Sequence, residues 1–412
     1  MRRIVGIGWK LVKGILWIIL GILIILNILI LLSGKLYLYN GIRHTYLKGK
    51  TGPEIYDLNI FYNDTIEPNE KANVLFRSIK VNTYEFNSRD QELMKTLDTR
   101  AFLVLKGDSL LFEKYTNGHT PETVSNSFSA AKTLVAMLIA IAVEEGNIKS
   151  LDEPVGNYLA NFNKGEKKKI TIRHLLMMSS GLDWEESASN PLSENAESYY
   201  GSNLFELVNR QEAVTAPGKK FIYQSGNSQL LGYVLEKATG KSVSEYTEEK
   251  LWKKIGTEGR AYWSLDKQNG DEKSFCCLYA TARDFARLGL LIHRGGRWGK
   301  EQVVPEWFIK EMSKPVPMLT EEGVPNYRYG LHVWTYPEKN QTITYCRGIK
   351  GQYIISIPKE DLVIVRLGMK RKDNVSLSKS QKNNNIKKVG HPQDFFEYLR
   401  IAREIAGKNK IR

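Results

Sequence analysis

The sequence predicts an α+β fold, α/β in the broad sense. One antiparallel sheet is assembled from both ends of a globular region, flanked by helices, with a helical lobe inserted between the strand groups. Three observations predict it. Two strand-like runs, 101–106 and 109–115, meet at the turn Gly107-Asp108. Three more runs, 341–348, 351–357 and 361–368, lie close together near the other end, the last two joined by a Pro-Lys-Glu-Asp turn. Between these groups, residues 129–296 read mainly as helices broken by loops.

Residues 14–32 are apolar with one polar interruption, Asn27, and are long enough to cross a bilayer as a helix. The run exceeds a usual signal-peptide core and no A-x-A-like site follows it. A retained transmembrane helix is therefore expected, with a cleaved signal ending near Ser33-Gly34 as the competing reading. No cysteine follows the run closely, which excludes a lipoprotein anchor. Arg2, Arg3, Lys10 and Lys13 precede it, and Lys35, Arg43, Lys48 and Lys50 follow, so basic flanks do not set its orientation. Residues 1–34 are read as a membrane anchor and 35–94 as a connector. Within the connector, Lys50-Thr51-Gly52 beside Pro53 is read as a linker turn.

The stretch that organises the chain is Ser127-Phe128-Ser129-Ala130-Ala131-Lys132 at the head of a strongly apolar helix ending near Gly146. Positions three apart share a helix face, so the Lys132 amine stands beside the Ser129 hydroxyl. A serine needs a nearby base to become a nucleophile, and a helix start offers free N–H groups to an oxyanion. The pattern S-x-x-K recurs at Ser264, Ser356 and Ser376, but those copies lie in polar or proline-broken contexts. Further on come a short amphipathic helix in 170–184 that stops at a Ser-Ser-Gly turn, and a turn, extended piece and helix across 217–240. A glycine-closed helix over 280–296 follows, and the last helix lies in 394–406. Residues 95–370 are read as the main domain and 371–412 as a polar segment plus a helix packing on it.

The formal net charge of +14 is placed at the ends. Residues 1–50 hold eight Lys/Arg and no Asp/Glu, and residues 366–412 hold 13 against 4, leaving the middle slightly acidic. A basic nucleic-acid groove is not expected, although a tail at 371–391 that binds nucleic acid or anionic lipid is a competing reading. Cys276, Cys277 and Cys346 form no disulfide framework. A bond between adjacent cysteines closes a strained ring and is not expected, and pairing of Cys346 with either is left open. The six histidines are scattered with no metal-ligand spacing, so no metal and no cofactor are expected.

The ordered motifs SFSAAKT, ITIRHLLMMSSGLDW, PGKKFIYQSGNSQLLG, ATARDFARLGLLIHRGGRW and RGIKGQYIISIP resemble the serine β-lactamase and penicillin-binding-protein superfamily. The resemblance spans roughly 95–370. It is to the class C-like branch of β-lactamase-related serine hydrolases, which includes esterases, D-amino-acid peptidases and aminohexanoate-dimer hydrolases. It implies a β-lactamase/transpeptidase-like fold, Ser129 as acylated nucleophile, and Lys132 and Tyr223 as proton-transfer groups, the tyrosine anion favoured by the nearby lysine. It implies an oxyanion hole from the backbone N–H groups of Ser129 and Ile349. Ser225 stands where Asn is usual, with Asn227 two residues on. Cys346 stands where a Lys or His is usual if Gly348 is the motif glycine, and Lys350 is the substitute cation. Ser225, Asn227, Gly348 and Lys350 are thus candidate substrate-binding residues. Trp184, Tyr199, Tyr200, Trp263, His332 and Trp334 are candidates for the cleft wall, two or three of them touching substrate. No glutamate base motif is apparent.

The expected function is a single-pass membrane-anchored serine hydrolase with its catalytic domain outside the cytoplasm, at the periplasmic or outer face. It cleaves an amide or ester of a small molecule or peptide through an acyl-enzyme. The alternative is a non-catalytic or slowly deacylating penicillin-binding-type sensor of cell-wall peptides. The sequence leaves open ester, D-amino-acid amide, β-lactam or oligoamide as substrate.

Overall fold

The computed structural model describes residues 2–70, 75–79, 81–187, 189–378 and 385–408. Residues 379–384 of the polar segment, with the lysine of the Ser376 motif copy, and residues 409–412 lie outside the described residues. Helix α1 is Arg2–Ser33 and α2 is Tyr37–His44. Strands β1 (Asn63–Ile66) and β2 (Phe76–Arg77) and helix α3 (Ser88–Thr96) precede the hairpin of β3 (Thr99–Lys106) and β4 (Ser109–Tyr115). Then come β5 (Ser125–Asn126), α4 (Ala131–Glu144), α5 (Ile172–Leu176), α6 (Glu194–Tyr200), α7 (Leu204–Asn209) and α8 (Ser225–Thr239). Strands β6 (Ala261–Ser264) and β7 (Leu278–Ala280) lead to α9 (Ala282–His293). The chain returns through β8 (Trp334–Glu338), β9 (Gln341–Gly348), β10 (Gln352–Ile357) and β11 (Leu362–Gly368) to α10 (Gln393–Lys408).

The main sheet has the order β8-β9-β10-β11-β3-β4-β2, so the strands of both chain ends join where β11 pairs antiparallel with β3. Its contacts are antiparallel except the short parallel pairing of β2 with β4. The central strands are apolar on both faces because both faces are covered. Ala101, Leu103 and Leu105 point into one core with α4, while Phe102 and Val104 point into a second with Phe395 and Tyr398 of α10. Helix α4 is buried all round from Ala131 to Ala142, as expected of a helix apolar on every side. It lies between sheet and helical lobe and carries Lys132 into the interior. Helix α9 can sit flat on the sheet because Gly289 has no side chain; a Cβ there would come within 2.6 Å of Val363.

The stretch read as a connector is woven into the fold. Strand β1 is an edge of a second, four-stranded antiparallel sheet, β1-β6-β7-β5, and Ile55 and Ile66 are fully buried. Weak local patterning in 35–94 conceals this, because β1 is only four residues long and its partner, Ala261–Ser264, lies far along the chain. Helix α1 holds a 22-residue apolar segment, Val12–Ser33, exposed along its length, with the dimensions of a membrane span or a signal sequence.

Arg366 on β11 ties the sheet to the turn after β9. Its buried guanidinium donates to Leu97 O, to Thr99 Oγ1 and to the carbonyls of Lys350 and Gly351. An arginine replaced by an apolar chain leaves those acceptors without partners. Arg366→Met is expected to lower the unfolding free energy of the full chain in detergent by about 3 kcal/mol, read as a fall in the urea midpoint. An unchanged midpoint would contradict this account of the turn.

Candidate active site

Ser129 sits on a single turn of 3₁₀ helix, Phe128–Ala130, that leads into α4. The residue before it, Phe128, has a φ of +46°, a backbone region that costs a side-chain-bearing residue energy. The surroundings enforce it. Phe128 N–H donates to Asn126 Oδ1 at 2.7 Å, and Ser127 N–H donates to Leu278 O on β7 at 2.9 Å. The far end of β9 presses on this turn, since a Cβ on Gly348 would lie 2.2 Å from Ser127 O. Ser129 and the next residue on that strand end, Ile349, both line a cavity of about 120 Å³, with Glu186, Tyr199, Tyr200 and Phe275 among its other walls. A hollow of about 460 Å³ elsewhere, between α3 and the β3–β4 hairpin, is larger but carries none of the motif residues.

The Lys132 amine is almost wholly buried and has three partners. Its Nζ is 3.3 Å from Ser129 Oγ and 3.0 Å from Ser225 Oγ, and it donates to the carbonyl of Phe275. Ser225 opens α8, and its own hydroxyl donates to Glu186 Oε1 at 2.7 Å. Glu186 Oε2 accepts the Ser225 N–H at 2.7 Å and the Trp184 indole N–H at 2.9 Å. Burial pulls the Lys132 amine down to about 8, with Glu186 opposing.

Tyr223 lies immediately before α8, one residue before Gln224. Its ring lies 5.5 Å from Lys132 Nζ, 5.5 Å from the Trp334 ring and 5.8 Å from the Tyr329 ring. Burial first, and then the Glu186 charge, push its hydroxyl far above the ordinary range; the contact with Ser129 and the Arg347 cation pull less strongly the other way. Burial and the Glu186 charge thus oppose the tyrosine anion expected from the nearby lysine.

This sheet and helix order has counterparts among known proteins. Residues 86–381 match the model of the Beta-lactamase family, most of the chain. The chain belongs to the Beta-lactamase family. A 6-aminohexanoate-dimer hydrolase of Paenarthrobacter ureafaciens is 26% identical over 295 residues, covering 68% of this chain and 74% of that one. Among solved structures, a Bacillus anthracis protein provisionally assigned as a 6-aminohexanoate-dimer hydrolase aligns with a TM-score of 0.68 at 21% identity, over 84% of this chain and 91% of that one. A family VIII carboxylesterase aligns with a TM-score of 0.59 at 16% identity, over 77% of this chain and 95% of that one. The fold is thus that of the serine β-lactamases and penicillin-binding proteins, a serine-hydrolase fold.

Within this family member, Ser129, Lys132, Ser225 and Ile349 converge on the cavity or its amine, and Tyr223 flanks them. Asn227 does not join them: two residues along α8 it points away, fully buried with its amide N–H toward Met178 Sδ. Gly348 serves as the close approach to Ser127. Lys350 adopts a φ of +60° and gives its carbonyl to Arg366. Cys346 is also turned away, buried in the core beside α4, because strand alternation puts it opposite Arg347. Arg347 is the cation near Tyr223; its guanidinium stacks 3.2 Å above the Trp334 ring. Of the aromatic candidates, Tyr199 and Tyr200 line the cavity, Trp184 holds Glu186 and Trp334 packs on Tyr223. Trp263 and His332 are buried and do not line the cavity.

Sequence reasoning missed Glu186, although it follows the SSGLDW motif directly, and missed the Phe275 carbonyl, which has no sequence signature. The expectation against bonding of adjacent cysteines is overturned, because Cys276 and Cys277 are joined. The Trp263 indole N–H holds the carbonyls of Lys273 and Cys276 at 3.0 and 2.9 Å, and Cys277 has a φ of +66°. This tight turn brings the two sulfurs together and aims Phe275 O at Lys132. Cys346 is a free thiol in the core.

A second buried amine, Lys273, is also pulled down to about 8 by burial. Between about pH 8 and 10 the unfolded chain then binds more protons than the folded one at both lysines, so these two groups make the unfolding free energy rise with pH, against the buried Cys346 thiol, which burial pushes up and which acts in the opposite sense. Each lysine adds up to about 1.4 kcal/mol per pH unit. Relative to the wild type, Lys132→Met is expected to lower the slope of unfolding free energy against pH by up to about 1.4 kcal/mol per pH unit, measured by urea unfolding across the window. A slope unchanged by the substitution would contradict the buried-amine assignment.

Proposed function

We propose that the protein is a membrane-anchored serine hydrolase that cleaves an amide or ester through an acyl-enzyme on Ser129, with α1 as a single span and the domain outside the cytoplasm. The observation that carries the reading is the hydrogen-bond geometry at Lys132. A carboxylate only accepts, so the Ser225 proton is committed to Glu186 and Ser225 Oγ can only accept from the lysine. Phe275 O also only accepts. A neutral amine has two N–H groups, and these two acceptors use both. Its lone pair is left facing the Ser129 hydroxyl 3.3 Å away. The downward pull on the amine to about 8 makes that neutral form accessible near neutral pH.

In the mechanism this supports, Lys132 Nζ takes the Ser129 proton as Oγ bonds to the substrate carbonyl carbon. The carbonyl electron pair moves to oxygen, held by the N–H groups of Ser129 and Ile349, each worth about 3 kcal/mol to such a transition state. Tyr223, which holds its proton, gives it to the leaving nitrogen or oxygen as that bond breaks, and is reprotonated from the Lys132 ammonium. Water then attacks the acyl-enzyme along the reverse route and releases the acid. The relatives' names, a 6-aminohexanoate-dimer hydrolase and a carboxylesterase, support amides and esters as the substrate class.

Steady-state hydrolysis of ester and amide panels by the full chain tests this. Ser129→Ala is expected to lose at least ~10⁴-fold in kcat. Tyr223→Phe is expected to lose ~10²-fold or more on amides and alkyl esters, and much less on nitrophenyl esters, whose leaving group needs no proton. Hydrolysis unchanged in Ser129→Ala would overturn the proposal. A stable acyl adduct without turnover would replace it with the sensor reading.

A further inference from the structure

The Ser129 cavity is backed by a second hollow, of about 110 Å³, that leads to the end of the apolar helix α1. The two hollows share Pro53, Ala196 and Tyr200 as walls. The second lies between α2 and the segment 189–200, with Tyr37, Gly41, Ile42 and Pro191 along it. Helix α2 is fastened there: Tyr37 Oη donates to Pro191 O at 3.1 Å, and Asn40 Nδ2 donates to Tyr200 O at 3.1 Å. Lys35, two residues beyond α1, donates to Leu192 O at 3.2 Å. Around the outer end, Leu36, Ile42, Tyr46, Leu47 and Leu192 are exposed, and Lys35, Arg43, Lys48 and Lys50 lie in the same short stretch of chain. Apolar side chains interspersed with lysines directly after a membrane span have the chemistry of a surface resting in lipid headgroups.

We propose that the substrate of Ser129 is an amphiphile resident in the bilayer, and that its alkyl acyl chain lies in the groove between α2 and segment 189–200 while its carbonyl reaches Ser129. This rests on the serine-hydrolase reading and on α1 as a retained span. Each methylene taken from lipid into water lowers the available concentration roughly fourfold. A chain passing from the bilayer into an adjoining apolar groove avoids that loss. The acyl side is assigned because Tyr223, the donor to the leaving group, stands in the Trp334 and Tyr329 wall and not along the groove.

The test uses the full chain in phosphatidylcholine vesicles with umbelliferyl acetate and umbelliferyl octanoate. The wild-type protein is expected to favour octanoate in kcat/KM by ~10-fold or more. Gly41 lies on α2 with its Cβ position 3.5 Å from the Tyr200 ring. Gly41→Phe is expected to bring the octanoate-to-acetate ratio close to one, whereas the small Gly41→Ser keeps it. Stoichiometric labelling of Ser129 by a fluorophosphonate shows that each variant is folded. No chain-length preference, or a preference that survives Gly41→Phe in a labelled protein, overturns this inference while leaving the hydrolase reading intact. Ester hydrolysis that survives Ser129→Ala removes the hydrolase reading and this inference with it.

Discussion

A lysine amine taken out of water constrains the rest of this structure. An ammonium buried without compensation costs several kcal/mol, and proteins respond by neutralising it or surrounding it with acceptors. Lys132 shows both responses. Its partners come from three distant parts of the chain: the turn before α4, the first residue of α8, and the turn between β6 and β7. Fixing one amine therefore fixes the relative positions of α4, α8 and the small sheet. Glu186 determines the sense of the arrangement. By taking the Ser225 proton it turns that hydroxyl into an acceptor, so Ser225 Oγ and Phe275 O both accept from the amine without reference to substrate.

The same segments meet a second constraint at close range. The turn carrying Ser129 holds a left-handed Phe128, and β9 approaches it so closely that only glycine fits at 348. Arg366 then anchors the following turn from the sheet side. Ser129 and Ile349, from segments more than 200 residues apart, are thereby kept on one cavity. Strain and close approach at such a place are offset by the large apolar cores on both faces of the main sheet.

Much of this was legible in the sequence. The strand runs within 101–115 and 341–368 read as short, nearly continuous apolar runs because both sheet faces are covered, and their positions at the two ends of the domain imply the joined sheet. Ser129 and Lys132 stood out because they open a helix apolar on all sides. The less legible parts have physical reasons. Strands β1 and β5 are two to four residues long and acquire meaning only from partners far along the chain. Glu186 lies in a loop, where spacing carries no periodic signal. The Phe275 carbonyl is backbone and has no identity to read. Cys346 and Arg347 are adjacent, but the two-residue period of a strand sends Cys346 to the core and Arg347 to the Trp334 ring, so the position where Lys or His is usual falls on a cysteine and the cation beside it carries no motif signal. The bond between Cys276 and Cys277 depends on a turn that Trp263 compresses from another strand.

The central claim is that a neutral Lys132, held by two fixed acceptors, activates Ser129. The most direct measurement is the rate at which a fluorophosphonate phosphonylates the protein, followed by intact mass across about pH 6 to 10. The account predicts one adduct, absent from Ser129→Ala, whose rate of formation rises with pH and levels off above a midpoint near 8. A folded protein that forms no adduct, or forms it at a rate independent of pH across that range, would contradict it.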